Sequence, residues 1–194
     1  MASLTEILGG ESTPYKLMQQ QIMSSIRVAM PGIVVSFDAG SQTASVKPAV
    51  NDSIIEGGKQ KSVPLPVISD VPVAFPQGGD YAVTLPVKDG DACILIFADS
   101  CIDAFAQSGT ESAQAEVRHH DLSDAIAIVG ISTGNAPVPG YDPDNLEMRH
   151  KDKPIKITLS DAALDLIFEG STINMTAARI KLTSGVVDVN GTLF

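Results

Sequence analysis

The fold is decided by the stretch Pro72 to Phe105, PVAFPQGGDYAVTLPVKDGDACILIFADSCIDAF, which holds the densest apolar run of the chain between two sets of turn residues. Within it, Ala92–Phe97 (ACILIF) is too short for a helix, and a continuous apolar run of this length is typical of a strand buried on both faces. Upstream, Tyr81–Leu85 has aromatic and β-branched residues, and Lys88–Asp91 supplies a tight turn. The stretch therefore predicts a hairpin of two strands at the centre of the first domain.

Short strands also dominate the sequence on both sides of this stretch. Ile33–Phe37 and Thr43–Val50 flank a turn and follow a period of two, which predicts another hairpin. Val63–Ile68 contains two prolines and belongs on a sheet edge, and Ala125–Ile131 is the last strand. With a short helical piece at Ile102–Ala106, about five strands predict a small Greek-key barrel of the oligonucleotide/oligosaccharide-binding (OB) type.

The segments before and after the predicted barrel have different patterns. Thr13-Pro14 and apolar positions from Leu17 to Ala29 predict a helix that stops at Pro31-Gly32. Gly134–Asp152 has proline and glycine punctuation without an apolar period, which predicts a linker. The predicted organisation is an N-terminal helical segment over residues 1–31, an OB-fold barrel over 32–133, a linker over 134–152 and a β-helix over 153–194.

The predicted β-helix consists of short strands that recur every 7 to 9 residues. They mostly alternate apolar and polar residues, and Gly170, Ser184-Gly185 and Asn190-Gly191 lie near the turns. So regular a period predicts stacked repeats, in which one repeat cannot bury its own apolar face. Because these strands make a thin core, we expect several identical chains to wind together, most simply as a homotrimer. The strands are Ile155–Leu159, Leu164–Phe168, Ile173–Met175, Ile180–Thr183 and Val187–Asn190.

Composition and charge argue against several classes of function. The chain has 194 residues and a net charge of −10, which gives no basic surface for nucleic acid. Its N-terminus lacks the pattern of a signal peptide, and nowhere do 18 apolar residues run together as a membrane span requires. Cys93 and Cys101 are expected to be reduced thiols, because Cys93 lies in the apolar run and the neighbouring sequence offers no further zinc ligands.

One cluster offers candidate metal ligands or acid-base groups, the run Arg118–Asp124 (RHHDLSD). Adjacent histidines point in different directions on a strand, so a metal site of His119, His120 and Asp121 would need an irregular backbone. A loop whose Asp and Ser side chains fix turns is favoured over a metal-dependent enzyme. The sequence has no phosphate-binding glycine motif and no GxSxG nucleophile motif. We therefore expect no enzymatic activity, no catalytic residue, no metal site and no cofactor.

Several short segments match a known family in its own order. They are Pro31–Val34, Gln42–Val46, Val71–Pro76, Pro86–Asp91, Ile94–Phe97, Asp99-Ser100 and Arg118–Ala125. With these segments, the chain resembles the central spike and hub proteins of contractile phage tails. This is the membrane-puncturing baseplate family, related to baseplate assembly protein V and to type VI secretion spikes. The resemblance implies a trimer, an OB-type barrel that seats on the tail hub, and a C-terminal triple-stranded β-helix that serves as a needle.

The same resemblance implies a structural protein of the virion tail baseplate. Such a protein is assembled in the host cytoplasm, binds tail hub proteins and meets the host cell envelope during puncture. Many such spikes carry a His-x-His iron site at the tip, which is missing from Val189–Phe194, so a tip is either absent or supplied by a separate protein. The sequence also lacks the inserted muramidase domain of some relatives. The alternative function is a glycan-binding OB-fold module, with exposed barrel aromatics as its platform and the repeated strands as a stalk.

Overall fold

The computed structural model describes residues 15–16, 18–19, 21–23, 26–186, 188–189 and 192–193. The described residues are mainly β-strand, so the predicted mainly β class is confirmed. The chain divides into two units, Met1–Ile131 and Ser132–Phe194. Much of the predicted N-terminal helix lies outside the described residues and stays a prediction. Within the described part of the chain, no helix has the length and apolar character needed to span a membrane.

One antiparallel sheet forms the framework of the first unit. Its strands are β1 (Ala29–Asp38), β2 (Thr43–Pro48), β5 (Ile68–Pro72), β8 (Ala92–Phe97) and β9 (Ala125–Val129), in the order β5-β2-β1-β8-β9. Separate hairpins consist of β3 (Asp52–Glu56) with β4 (Lys59–Val63) and of β6 (Gln77–Gly78) with β7 (Tyr81–Ala82). Between β8 and β9 lie a short helix, Asp103–Ser108, and a 3-10 turn, Leu122–Asp124.

The sheet curls into a half-barrel, and its two edges approach each other. Beyond the end of β5, Val73 forms a parallel bridge with Ala127 of β9, and the Ala74 N–H donates to the Ala127 carbonyl at 2.8 Å. The register of β1 on β2 shifts between Val34 and Ser36, and such a bulge bends a strand. The enclosed core consists of Val34, Ala44, Val46, Ile68, Val71, Val73, Cys93, Leu95, Phe97, Ala125 and Ala127.

Gly32 allows β1 to lie directly against this core. A Cβ at this position would come within 2.6 Å of Val46 Cγ1, 3.2 Å of Leu95 Cδ1 and 3.3 Å of Cys93 Sγ. At such distances a neighbouring side chain has to move, which strains a packed interior. Gly32 is therefore needed for the close packing of β1 against the core, and it does not mark the end of a helix.

The predicted end of the N-terminal helix at Pro31-Gly32 is accordingly wrong. β1 begins at Ala29, and Ala29 to Ile33 pair with Ile96 to Ala92 of β8. The Phe97 N–H also donates to the Val28 carbonyl at 2.9 Å, which extends this ladder. Backbone pairing with β8 decides the conformation here. Helical spacing is a local pattern, and it carries no information about a strand more than sixty residues away in the sequence.

Most of the predicted strands of the first unit are confirmed. The hairpin of Ile33–Phe37 with Thr43–Val50 corresponds to β1 and β2, and Ala125–Ile131 contains β9. Of the predicted edge segment Val63–Ile68, only Ile68 belongs to the edge strand β5, because the prolines before it interrupt pairing. The helical piece predicted at Ile102–Ala106 is the helix Asp103–Ser108.

The hairpin predicted at the centre of the domain is wrong. Tyr81-Ala82 pairs with Gln77-Gly78, whereas β8 pairs with β1 on one side and β9 on the other. Pro86 has no N–H for a ladder, and Lys88 to Asp91 form a turn in which the Lys88 N–H donates to Asp91 Oδ2 at 2.8 Å. The turn therefore directs the chain into β8 without folding it back on the preceding strand.

The expectation that Ala92–Phe97 is buried on both faces is also wrong for the single chain. Cys93, Leu95 and Phe97 are buried in the core, but the alternate residue Ile96 is 42% exposed. The two cysteines are free and buried, as expected, and burial raises the pKa of the Cys93 thiol.

A second antiparallel sheet forms the framework of the second unit, with its strands in chain order. The strands are β10 (Leu146–Arg149), β11 (Ile155–Leu159), β12 (Ala163–Phe168), β13 (Ser171–Thr176) and β14 (Ile180–Thr183). A small hairpin of β15 (Asp188–Val189) and β16 (Thr192–Leu193) follows. Each predicted repeat strand up to residue 183 is present, and in one chain they form a meander.

The predicted linker over residues 134–152 needs a correction at its end. Leu146–Arg149 forms β10 and pairs with Leu159–Lys156 of β11. Its alternation of Leu146 and Met148 with Glu147 and Arg149 is a strand pattern, but it is only one hairpin arm long. The proline and glycine residues before it masked this short signal.

Candidate functional site

The histidine cluster of the sequence is brought together with Asp99, the residue that follows β8 by two positions. His119 Nδ1 lies 2.7 Å from the Asp99 carbonyl oxygen, and His120 Nε2 lies 3.4 Å from Asp99 Oδ1. His120 Nδ1 also lies 2.9 Å from the carbonyl oxygen of Arg27, just before β1. A carbonyl accepts only, so each of these Nδ1 atoms donates. The two rings therefore link the loop before β9 to the backbone at Asp99 and at Arg27.

The neighbouring Asp121 and Ser123 build the turn that the sequence predicts. Asp121 Oδ1 accepts the Ser123 N–H at 2.9 Å and the Ser123 hydroxyl at 2.6 Å, which caps the 3-10 turn. These two hydrogen bonds hold the pKa of Asp121 below its usual value. The side chain of Asp121 therefore stabilises its own turn, whereas the two histidine rings bond to other groups.

The charged centre of this loop is an ion pair that the sequence reasoning missed. Arg118 binds the fully buried Asp124 through Nε at 2.7 Å and Nη2 at 2.9 Å. It also contacts Asp103 at 2.9 Å and Glu116 at 2.8 Å, and hydrogen bonds to these carboxylates, Asp124 first, raise the pKa of Arg118. Asp124 Oδ1 further accepts the Ile102 N–H at 2.9 Å. The network ties the start of the helix Asp103–Ser108 to the end of the loop that leads into β9.

One group of three potential metal ligands is found among the described residues, Cys101, Asp103 and Asp124. The guanidinium of Arg118 already binds both of its carboxylates. A cation there would meet a positive charge that is in place, so this geometry serves to balance charge within the fold.

One face of the second sheet is apolar. Residues opposite each other in adjacent strands share a face, and on one face all of them except Ser171 are apolar. We call this surface the repeat face. It consists of Leu146, Met148, Ile155, Ile157, Leu159, Leu164, Leu166, Phe168, Ile173, Met175, Ile180 and Leu182.

The repeat face is open in the single chain. Leu146, Phe168 and Ile180 are 61–65% exposed, and a groove of about 540 Å³ lies over residues that include Ile157 and Leu166. A contiguous apolar surface of this kind marks an interaction site rather than a solvated surface.

The opposite face of the same sheet is mostly polar and carries paired side chains. Lys156 Nζ donates to Glu147 Oε1 at 2.7 Å, and Asn174 donates to Asp165 at 2.6 Å across the next pair of strands. The bond from Lys156 lowers the pKa of Glu147, whose side chain is 8% exposed. The polar face is the less exposed face of the sheet, since the Glu147 side chain and Thr158 are buried, whereas most of the apolar residues of the repeat face are exposed.

The sequence predicted this separation of faces but not its full extent. The alternation from Ile155 onwards indicated the apolar stripe, and Leu146 and Met148 of β10 extend it by one strand. The alternating residues of β10 could have identified this strand, but they were assigned to the linker.

Comparison with known families bears on the first unit. Residues 30–130, just over half of the chain, match the family model described as the phage protein Gp138 N-terminal domain. The chain belongs to this family. The predicted resemblance to phage baseplate and spike proteins is thereby confirmed, and the protein is a phage structural component. No curated protein matches its sequence.

Proposed function

We propose that this protein is the trimeric central spike of a contractile-tail baseplate. In this proposal the first unit is an OB-type barrel that attaches to the tail hub, and the second units of three copies wind into one β-helical needle. The chain performs no chemical turnover, and its role is to transmit force when the host envelope is pierced.

The observation that carries this proposal is the open repeat face on a sheet whose other face is polar. Three such sheets, each with its apolar face inwards, form a closed prism with one shared interior. In the single sheet this face stays open, since Leu166 lies between Ile157 and Ile173, which are 40% and 37% exposed. Strands that share one interior separate only together, which is the mechanical property a puncturing device needs.

Two features of the first unit support the barrel assignment. The curled sheet runs β5-β2-β1-β8-β9, and the parallel bridge of Val73 with Ala127 brings its two edges together, which is compatible with a partly open five-stranded OB-type barrel. The match to a phage N-terminal domain covers this unit from residue 30 to 130. The glycan-binding alternative would use an exposed aromatic such as Tyr81, which is 84% exposed in β7.

Immunogold electron microscopy of intact phage particles tests the location. Antibodies against the purified full chain are expected to label the baseplate end of the tail. Label on the capsid or along the tail sheath would contradict the proposal. A glycan array run with the same protein separates the alternative, because glycan binding that Tyr81→Ala abolishes would favour the binding module.

A further inference from the structure

The side chain of His150 stabilises the turn between β10 and β11 in the second unit. Its Nδ1 atom accepts the backbone N–H of Asp152 at 3.0 Å and that of Lys153 at 3.1 Å. The His150 N–H donates to the Ile155 carbonyl at 2.9 Å, which closes the turn at its other end. The imidazole ring thus takes the part that an Asn or Asp side chain plays in other turns, as acceptor for the backbone N–H groups that follow it.

These two hydrogen bonds require a neutral ring. Both backbone groups are donors, so Nδ1 presents its lone pair to them and the proton of the ring lies on Nε2. In the imidazolium both ring nitrogens are donors, and Nδ1 would face two N–H groups without accepting from either. His150 is exposed, so protons from solvent reach the ring. The turn therefore keeps both bonds at high pH and loses them as pH falls and the ring binds a proton.

The two histidines of the first unit behave differently. Nδ1 of His119 and Nδ1 of His120 each donate to a backbone carbonyl, and a ring nitrogen that donates still donates after the ring is protonated. Of the 3 histidines in the chain, His150 is therefore the one whose hydrogen bonds are broken by protonation.

The charges around His150 do not compensate for the lost bonds. Within the described residues, no carboxylate forms an ion pair with this ring, and the residues of β13 and β14 that line the groove beside it are uncharged. Cations outnumber anions among the charged groups of β10, of β11 and of the two neighbouring turns. These groups are Arg149, Lys151, Lys153 and Lys156, with Glu147, Asp152 and Glu169.

The position of the turn connects it to the repeat face. His150 lines the groove over this face together with Met148 of β10. β10 is an edge strand of the sheet, and the turn joins it to β11, the strand with which it pairs. When the turn loses two hydrogen bonds, β10 is held less firmly, and so are Leu146 and Met148, the residues that it adds to the repeat face.

We propose that His150 is a pH-sensitive switch in the second unit. The neutral ring holds the turn between β10 and β11, and uptake of a proton releases the turn and weakens the packing of the repeat face. The first step concerns the single chain. The second step rests on the proposed trimer, and it adds that acid loosens the assembly of the second units.

His150→Asn is the matched variant for the test. An asparagine side chain can accept the same two N–H groups and does not titrate, and every other titratable group of the chain stays in place. The full chain and the variant are compared at pH 8 and at pH 5, between which a histidine changes its charge. Nuclear magnetic resonance measures the hydrogen exchange of the Asp152 and Lys153 amides relative to the intrinsic rate at each pH. Sedimentation equilibrium measures the monomer–trimer equilibrium, and circular dichroism checks that both proteins are folded.

The expected result is a loss of protection that depends on His150. Between pH 8 and pH 5, protection of the two amides is expected to fall at least about fivefold in the unchanged chain, as the loss of two neutral hydrogen bonds implies, and by less than about twofold in His150→Asn. The monomer–trimer equilibrium constant is expected to fall at least about tenfold more in the unchanged chain than in the variant, because three copies lose the same bonds.

The outcomes separate the switch from the proposed function. Equal loss of protection in both proteins would overturn the switch, and so would a nitrogen spectrum that places the proton of His150 on Nδ1 at pH 8, a result that does not depend on the variant. If only the unchanged chain loses protection but its trimer is equally stable at both pH values, the link to the repeat face is wrong and the trimer stands. A monomer at pH 8 would contradict the proposed function, whereas the amide measurement would still decide whether His150 switches the turn.

Discussion

Two neighbouring residues of β12 test whether the repeat face is buried between copies. Leu166 lies on the repeat face between Ile157 and Ile173, whereas Ile167 lies on the polar face between Lys156 and Thr172. Both side chains are half-buried in the single chain. Leu166→Asp is therefore expected to dissociate the assembly, and Ile167→Asp to leave it assembled.

The magnitude follows from three copies of one side chain. Burying a fully exposed leucine contributes about 1.5–3 kcal/mol, and Leu166 is already half-buried, so assembly adds roughly half of this, or about 2–4.5 kcal/mol for three copies. At about 1.4 kcal/mol for each factor of ten, the monomer–trimer equilibrium constant falls by roughly 30-fold to 1500-fold. An unpaired carboxylate in the shared interior adds to this loss. Ile167→Asp places its charge on the polar face beside Lys156, outside the shared interior, and the monomer–trimer equilibrium constant is expected to change by less than about tenfold.

Sedimentation equilibrium over a range of protein concentrations measures this difference directly. The expected result is a concentration-dependent monomer for Leu166→Asp and a trimer for Ile167→Asp under the same conditions. Circular dichroism of each variant shows whether β structure is retained. Equal loss of the trimer in both variants, or a stable trimer with Leu166→Asp, would refute the burial of the repeat face.

Three further changes test the internal structure of each unit. Asp124→Asn removes the buried partner of an ion pair and is expected to lower the free energy of unfolding, measured by urea denaturation, by about 3–5 kcal/mol. Glu116→Gln, at the exposed end of the same network, is expected to change it by less than about 1 kcal/mol. The pKa of Glu147 is lowered in the folded protein, so the stabilisation by its ion pair is complete above the ordinary pKa of 4.5 and is lost as pH falls through the lower folded pKa. Glu147→Gln is therefore expected to weaken the fall in the free energy of unfolding at acid pH. An unchanged fall would contradict the assignment. Gly32→Ala forces a Cβ to within 2.6 Å of Val46 and is expected to cost about 1–3 kcal/mol in thermal unfolding, so a neutral effect would show that the barrel is packed more loosely.

The sequence predicted the elements whose signal is local. Alternation identified β1 and β2 and the repeat strands from Ile155 onwards, because a two-residue period reports which side of a strand is buried. The last barrel strand was visible as a continuous apolar run, Ala125–Ile131. The helix Asp103–Ser108 was placed within two residues for a similar reason.

Pairing over long distances was beyond the sequence pattern. The partner of Ala92–Phe97 was expected in Tyr81–Leu85, its neighbour along the chain, but the true partners begin at Ala29 and Ala125. Apolar content shows that a strand is buried without showing which strands lie beside it. The same limit explains the misplaced helix end, since β8 imposes strand structure on Ala29 and Met30.

The candidate sites show where composition alone misleads. The histidine pair drew attention as a metal site, yet the charge that matters in this loop is Arg118 with the buried Asp124. The run RHHDLSD contains both residues, but a separation of six residues in a loop does not show that their side chains meet. In the second unit, alternation identified the repeat face correctly, because facing in a meander follows from register alone.

The mass of the purified full chain in solution tests the central claim most directly. One chain has a mass of 20.3 kDa, and the account predicts a single species of three chains at micromolar concentration. Sedimentation velocity with multi-angle light scattering gives this number without any change to the protein. A 20.3 kDa monomer with the repeat face open to solvent would contradict the shared interior and, with it, the proposed needle.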